Sequence, residues 1–256
     1  MINVSEIVSL FQLKKGDIVL VASDMMSLAL RARETKSKFN LNEWIDKLIE
    51  EIGDEGTLLF PTYNWDFSNG LGFDYKNTFS KTGSLSKTAL MRNDFTRTNH
   101  PIYSFAVWGK DQEKLNSMNN RSSFGEDSPF GYLHKNGAKM IMINVDYQNS
   151  FTFVHYVEEM EQVEYRFSKE FTGQIIDVNG VERIDTYSMY VRDIDKGVQT
   201  RVNPIGDLIE KQGAAICHIE DNVSYRVIDL KKAYEIIRQD ILYNNAEKLH
   251  FKETKG

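Results

Sequence analysis

Apolar positions follow two rhythms that take turns along the chain. The runs GDIVLVAS (16–23), GTLLFPT (56–62), YSFAVWG (103–109) and AKMIMINV (138–145) are short and nearly continuously apolar. Strands buried on both faces read this way. Between them stand segments with apolar residues three and four apart. NVSEIVSLFQL begins at a capping Asn3 or Ser5, and NLNEWIDKLIEEIG closes at Gly53. GSLSKTALMRN, a segment from Lys110, and SPFGYLHKNG follow. In the last, Ser128 is the expected N-cap and Pro129 sits in the first turn. Alternating buried strands and amphipathic helices predict an α/β body whose sheet is covered on both faces.

After about residue 168 the texture changes. GQIIDVNGVERID reads as two short strands around Asn179-Gly180, a two-residue hairpin signal. TYSMYVRDID and AAICHIE continue the β character, and DLKKAYEIIRQDILY reads as a closing helix. The expected organisation is a body over 1–167 and an antiparallel β annex with a terminal helix over 168–256, packed as one unit. The stretch between Thr62 and Ser80 fits no regular element and carries six aromatics. Long irregular loops in compact domains are often functional. Its Tyr63 and Trp65 could form a wall for a ring substrate, or staple a surface loop.

Composition narrows the class. At 256 residues, 41% hydrophobic and 12% aromatic, the chain is globular rather than disordered. A net charge of −6 argues against general nucleic-acid binding. One cysteine, Cys217, excludes a disulfide framework and a multi-cysteine metal site. No run approaches the length of a membrane span, and the N-terminus lacks the pattern of a signal peptide. The expectation is a cytoplasmic protein acting on small molecules, a monomer or small homo-oligomer, with no metal, nucleic-acid or membrane partner.

Candidate chemistry is sparse. NSFTFVHYVEEME (149–161) places His155 within one turn of Glu158 and Glu159. Either carboxylate can fix the imidazole tautomer so that the other ring nitrogen accepts a proton, and spacing does not choose between them. Taken alone, such a pair is more often structural. A di-iron site would need a second such pair and more carboxylates on neighbouring helices, and no other predicted helix supplies them. His100 precedes Pro101, which holds it extended just before a strand. Thr82, Gly83 and Ser84 open one helix, and SSFGEDSPFG opens another; both are possible anion sites and equally ordinary caps. Cys217 reads as an inert core thiol. No P-loop, G-x-S-x-G, H-E-x-x-H or dinucleotide fingerprint occurs.

Read in order, GTLLFPT, SKTGSLSKTAL, RTNHPIYSFAVWG, FGEDSPFGYLHKNGAKMIMINV and TFVHYVEE resemble the aminoglycoside 3-N-acetyltransferase family. Its members carry patterns like GTLVMPT, MGALPE, RSxHPxxSVAAWG, GxxSPxxxL and TxxHxxE. The resemblance runs from about Gly16 to the last helix. It implies an α/β/α layered body with a mixed sheet and an acyl-CoA-dependent N-acyltransferase. The TxxHxxE pattern falls on Thr152, His155 and Glu158 and leaves Glu159 outside. The implied bases are His155 held by Glu158, then His100, then Asp94. Ser84 is the implied oxyanion donor, and acyl-CoA would run past Ser23, Thr82, Gly83 and Ser84. Tyr63, Trp65, Asp94, Arg97 and Glu126 are the expected acceptor contacts. VASDMM stands where the family usually has HSS, Tyr103 where histidine is common, and Ser84 where alanine is usual. An aminoglycoside is a polycation, and the chain is only mildly acidic. The chain looks most similar to the N-acyltransferases of anthrose-type sugar biosynthesis. The expected acceptor is therefore the 4-amino group of a nucleotide-linked 4-amino-4,6-dideoxyhexose, with an aminoglycoside as the alternative. A non-catalytic CoA- or sugar-binding relative is the alternative of another class.

Overall fold

A computed structural model describes residues 3–253. Its strands are β1 Ile18–Ser23, β2 Thr57–Pro61, β3 Phe73–Asp74, β4 Thr96–Arg97, β5 Phe105–Gly109, β6 Lys139–Ile143, β7 Arg166–Ile176, β8 Glu182–Arg192, β9 Val198–Thr200, β10 Ala215–Glu220, β11 Val223–Asp229 and β12 His250–Lys252. Its helices are α1 Val4–Ser9, α2 Met26–Glu34, α3 Leu41–Ile52, α4 Ser84–Leu90, α5 Gln112–Asn116, α6 Pro129–Lys135, α7 Tyr147–Ser150, α8 Phe153–Met160, α9 Asn203–Lys211 and α10 Leu230–Tyr243.

The main sheet has seven strands in the order β10-β11-β6-β1-β2-β5-β4. β6, β1 and β2 are parallel, while β5, β4, β11 and β10 run antiparallel to their neighbours. Alternate residues of the central strands feed two cores. Leu20, Leu59, Met140 and Met142 face one way, beneath α6, α8 and α10. Val19, Val21, Leu58, Phe60 and Ile141 face the other, beneath α1, α3 and α4. That two-sided burial is why these strands lack a polar face. The mixed sheet between two helical layers agrees with the expected fold class.

The expected helix ends hold in detail. Asn3 accepts from the Glu6 amide at 3.3 Å, and Ser128 from Gly131 at 3.3 Å. Gly53 ends α3 with φ +64. The annex is where the structure departs from the expectation. β10 and β11 are not part of a separate layer; β11 pairs with β6 over five residues and extends the main sheet. The hairpin strands β7 and β8 are eleven residues each, joined by a five-residue turn at 177–181. The turn is longer than two residues because Asp177 takes the amides of Asn179 and Val181 on its side chain. β3 adds to that hairpin, and β12 pairs with β9. The stretch after Thr62 is also not structureless. It holds a short 3-10 turn at Phe67–Asn69 and β3, and buries Tyr63, Phe67 and Phe73.

Candidate active site

α8 starts where the chain turns after β6 and α7. Its apolar residues Phe153, Val154, Tyr156 and Val157 face the core. The 3.6-residue period then carries His155 to the rim, and Glu158 inward to 1% exposure. His155 Nδ1 lies 2.7 Å from Glu158 Oε2. Tyr165 donates its hydroxyl to Glu158 Oε1 at 2.9 Å, and the Arg166 guanidinium meets Oε2 at 2.7 Å. Arg166 also donates to the Tyr190 carbonyl at 3.2 Å and the Thr200 hydroxyl at 3.3 Å. The chain leaving α8 turns back into β7, which is how Tyr165 and Arg166 arrive over the carboxylate. Glu159 does not share this site: it accepts from the Ser122 hydroxyl at 2.6 Å. The spacing ambiguity is thus resolved by geometry in favour of Glu158.

Burial opposes the charge on Glu158, but Arg166 and the hydrogen bonds from His155 and Tyr165 outweigh it and hold the carboxyl down at about 2. Burial also pushes the His155 imidazole below its ordinary value, with Arg166 pushing the same way and Glu158 against. The imidazole is therefore neutral near pH 7. Among the described residues nothing hydrogen-bonds to its Nε2. His155 lines a cavity of 610 Å³ with Tyr103, Phe124, Arg166, Lys169, Phe171, Tyr190, Arg192 and Asp195. Phe124 packs on the imidazole at 5.4 Å between centroids.

A second pocket, of 250 Å³, lies at the carboxyl ends of β1 and β2. Ser23, Pro61, Tyr63, Trp65, Thr82, Gly83, Ser86 and Thr152 are among its lining residues. It adjoins an apolar pocket of 470 Å³ that shares Ser23 and Gly83 and adds Met25, Met26, Phe39 and Ser84. Gly83 is required by proximity: with φ +28, a Cβ would stand 2.8 Å from the Ser23 carbonyl. The first pocket and the His155 cavity share a wall. Trp65 donates to the Tyr103 hydroxyl at 3.3 Å, and Tyr63 packs on Tyr103 at 4.7 Å. Thr152 reaches the Gly83 pocket and His155, less than one turn later, reaches the cavity.

The expected site residues thus divide. His155, Glu158, Tyr63, Trp65, Ser23, Thr82, Gly83 and Ser84 cluster at these pockets. His100 lies in the core instead: its Nδ1 accepts the amides of Ile102 at 3.2 Å and Tyr103 at 3.1 Å. Burial pushes it down to about 3. With Nδ1 committed, it organises the turn before β5 rather than facing either pocket. Asp94 lies on the surface in an ion pair with Arg92 at 2.8 Å. Arg97 is buried against the Thr62 carbonyl and the Ser104 hydroxyl, tying the ends of β2 and β5 together. Glu126 is exposed and pairs with Lys135 at 2.9 Å. The Thr82 hydroxyl is already engaged with the Pro61 carbonyl and Ser80. Sequence reasoning missed Tyr165, Arg166, Lys169 and Arg192, which follow α8 in chain order but reach the site only through the β7–β8 hairpin. Cys217 is half-buried on the edge strand β10 rather than in the core. Among the described residues no group of three or more His, Cys, Asp or Glu is placed to hold a metal ion, and no helix is long and apolar enough to cross a membrane.

A layered α/β body with an imidazole–carboxylate dyad on a cavity wall has the build of an enzyme. The chain belongs to the aminoglycoside 3-N-acetyltransferase family of N-acyltransferases, whose model matches residues 20–241. It is 25% identical over 174 residues to the SPbeta prophage-derived aminoglycoside N(3')-acetyltransferase-like protein YokD of Bacillus subtilis (strain 168). That match spans 59% of this chain and 62% of the relative, under two thirds of its length. The crystal structure of YokD superposes with a TM-score of 0.75 at 21% identity, covering 95% of this chain and 93% of that one. AAC-IIIb in binary complex with CoASH superposes at 0.74 and 15% identity, covering 93% and 94%. AAC-VIa bound to sisomicin superposes at 0.74 and 16% identity, covering 94% and 96%. At these identities the structures speak for the fold.

Proposed function

We propose that the protein is an acyl-CoA-dependent N-acyltransferase that moves a short acyl group to an amine of an amino sugar. The observation that carries this reading is the His155–Glu158 contact of 2.7 Å with Nε2 open to the cavity, beside a pocket that continues along Ser23, Gly83 and Ser84. The amine reaches the thioester from the His155 cavity, and acyl-CoA occupies the Gly83 side. The neutral amine attacks the carbonyl carbon and Nε2 takes the proton its nitrogen releases. The C–S bond then breaks, and CoA leaves as the thiol with the proton that Nε2 gives back. Such assistance contributes about 10²–10⁴-fold. Ser84 and the amides after Gly83 are the donors proposed for the developing oxyanion. No covalent acyl-enzyme enters, since among the described residues no activated nucleophile faces these pockets. CoA as cosubstrate is supported by the family and by the CoASH complex of AAC-IIIb.

For the acceptor, the family model and the sisomicin complex of AAC-VIa favour an aminoglycoside. None of the relatives supports the nucleotide-linked 4-amino-4,6-dideoxyhexose expected from the sequence. One local observation keeps that second reading in play: Lys169 and Arg192 line the cavity with Arg166, against a single carboxylate, Asp195. A cationic wall suits an anionic acceptor better than a polycation. The test is thiol release from acetyl-CoA with a kanamycin-type aminoglycoside and with a nucleotide-linked 4-amino sugar, side by side. Turnover with the first supports the aminoglycoside reading, and turnover with the second alone supports the nucleotide-linked one. No release with any amine, despite CoA binding, would leave a non-catalytic binding protein.

A further inference from the structure

The Glu158 carboxylate is shared three ways, and only one partner is the imidazole. Arg166 sits on the same oxygen as His155, at 2.7 Å, and Tyr165 occupies the other at 2.9 Å. A buried carboxylate bonded to an imidazole alone pulls a second proton onto the ring, and a doubly protonated ring is no base. A cation on the shared oxygen cancels much of that pull. We propose that Arg166 and Tyr165 are positioning residues: by taking up the Glu158 carboxylate, they leave His155 with one proton, on Nδ1, and a bare Nε2 facing the cavity.

The surroundings fit this assignment. Arg166 is fixed by the Tyr190 carbonyl and the Thr200 hydroxyl, so it cannot swing away from Glu158 without losing both. Tyr165 is fixed by a stacked His250 ring at 3.8 Å. The other charged or titratable groups facing His155 across the cavity are Lys169 and Arg192 from the hairpin, Asp195 from the loop after it, and the phenols of Tyr103 and Tyr190. Two of the three charges are cations, which also disfavour a doubly protonated ring. Phe124 packs against one side of the imidazole.

The inference rests on His155 being the base, but its test needs no substrate. NMR titration of the His155 imidazole in the whole protein should place it below the ordinary imidazole range, with the proton on Nδ1 at neutral pH. Arg166→Gln should raise that titration by about one to three units. Arg166→Lys should keep it near wild type, because the charge stays. Tyr165→Phe should raise it by less, since a neutral donor is lost. In an active preparation the acid limb of kcat/KM should move in parallel. A folded Arg166→Gln variant with an unmoved titration would overturn the proposal. If that variant does not fold, a wild-type His155 titrating above about 7 would overturn it equally. Loss of CoA release with unaltered titrations would instead count against the acyltransferase reading alone.

Discussion

Glu158→Gln separates the charge of the dyad from its shape. The two side chains are nearly isosteric, so the substitution leaves no cavity, but it leaves the Arg166 guanidinium buried without its counter-ion. The stability at stake follows from the structure. The carboxyl is held at about 2 against an ordinary value of 4.5, a difference worth about 3 kcal/mol at 1.4 kcal/mol per unit. Breaking a buried ion pair by removing one partner costs about 3–5 kcal/mol, in agreement. For a chain of this size that predicts a melting temperature lower by about 6–20 °C near pH 7. The sign with pH is definite. Because the folded-state value is depressed, this stability is present above about pH 4.5 and is lost as pH falls toward 2. The gap between wild type and variant should therefore narrow on acidification. Thermal melts at pH 7, 4.5 and 3, followed by circular dichroism, measure it. A gap under 2 °C at pH 7, or one that widens in acid, would refute the buried, ionised Glu158. The same variant should lose about 10²-fold or more in kcat/KM.

His100 gives a second pH signature: its folded value of about 3 against 6.5 means that stability falls as pH drops below 6.5, by about 3 kcal/mol at pH 4.5. His100→Asn should flatten that part of the slope in acid melts while weakening the turn at neutral pH. Gly83→Ala should raise the KM for acyl-CoA and cost about 1–3 kcal/mol, since its Cβ would strike the Ser23 carbonyl, as steady-state kinetics and a melt will read. Asp94→Asn should leave kcat/KM within about twofold, because Asp94 pairs with Arg92 at the surface.

Local signals in the sequence carried much of the fold. β1, β2, β5 and β6 announce themselves because burial on both faces makes them apolar throughout, and the caps at Asn3 and Ser128 mark helix starts. Where pairing is non-local the sequence is mute. α2 buries only Leu28 and Ala32 and has no side-chain cap, so it leaves no periodic trace. β11 alternates like any half-buried strand, and nothing in VSYRVID says that its partner is β6. β7 is mostly exposed and β8 mostly half-buried or exposed, so the hairpin's apolar pattern is too weak to show its length. The site behaves in the same way. His155 and its two possible carboxylates were visible and the family pattern pointed to Glu158, but spacing alone could not choose, because the choice depends on Ser122 drawing Glu159 aside and on β7 bringing Arg166 and Tyr165 to Glu158. His100 and Arg97 read as site residues because polar groups near a strand end invite it; the structure buries both to organise the strand ends themselves.

The central claim is that His155 is the base for transfer from acyl-CoA to an amine. The most direct measurement is kcat/KM for thiol release by wild type and His155→Ala across about pH 6 to 9, with whichever amino-sugar acceptor the wild type turns over. The account predicts a loss of about 10²-fold or more that shrinks as pH rises and the amine deprotonates unaided. A variant that keeps near wild-type kcat/KM over that range would contradict it.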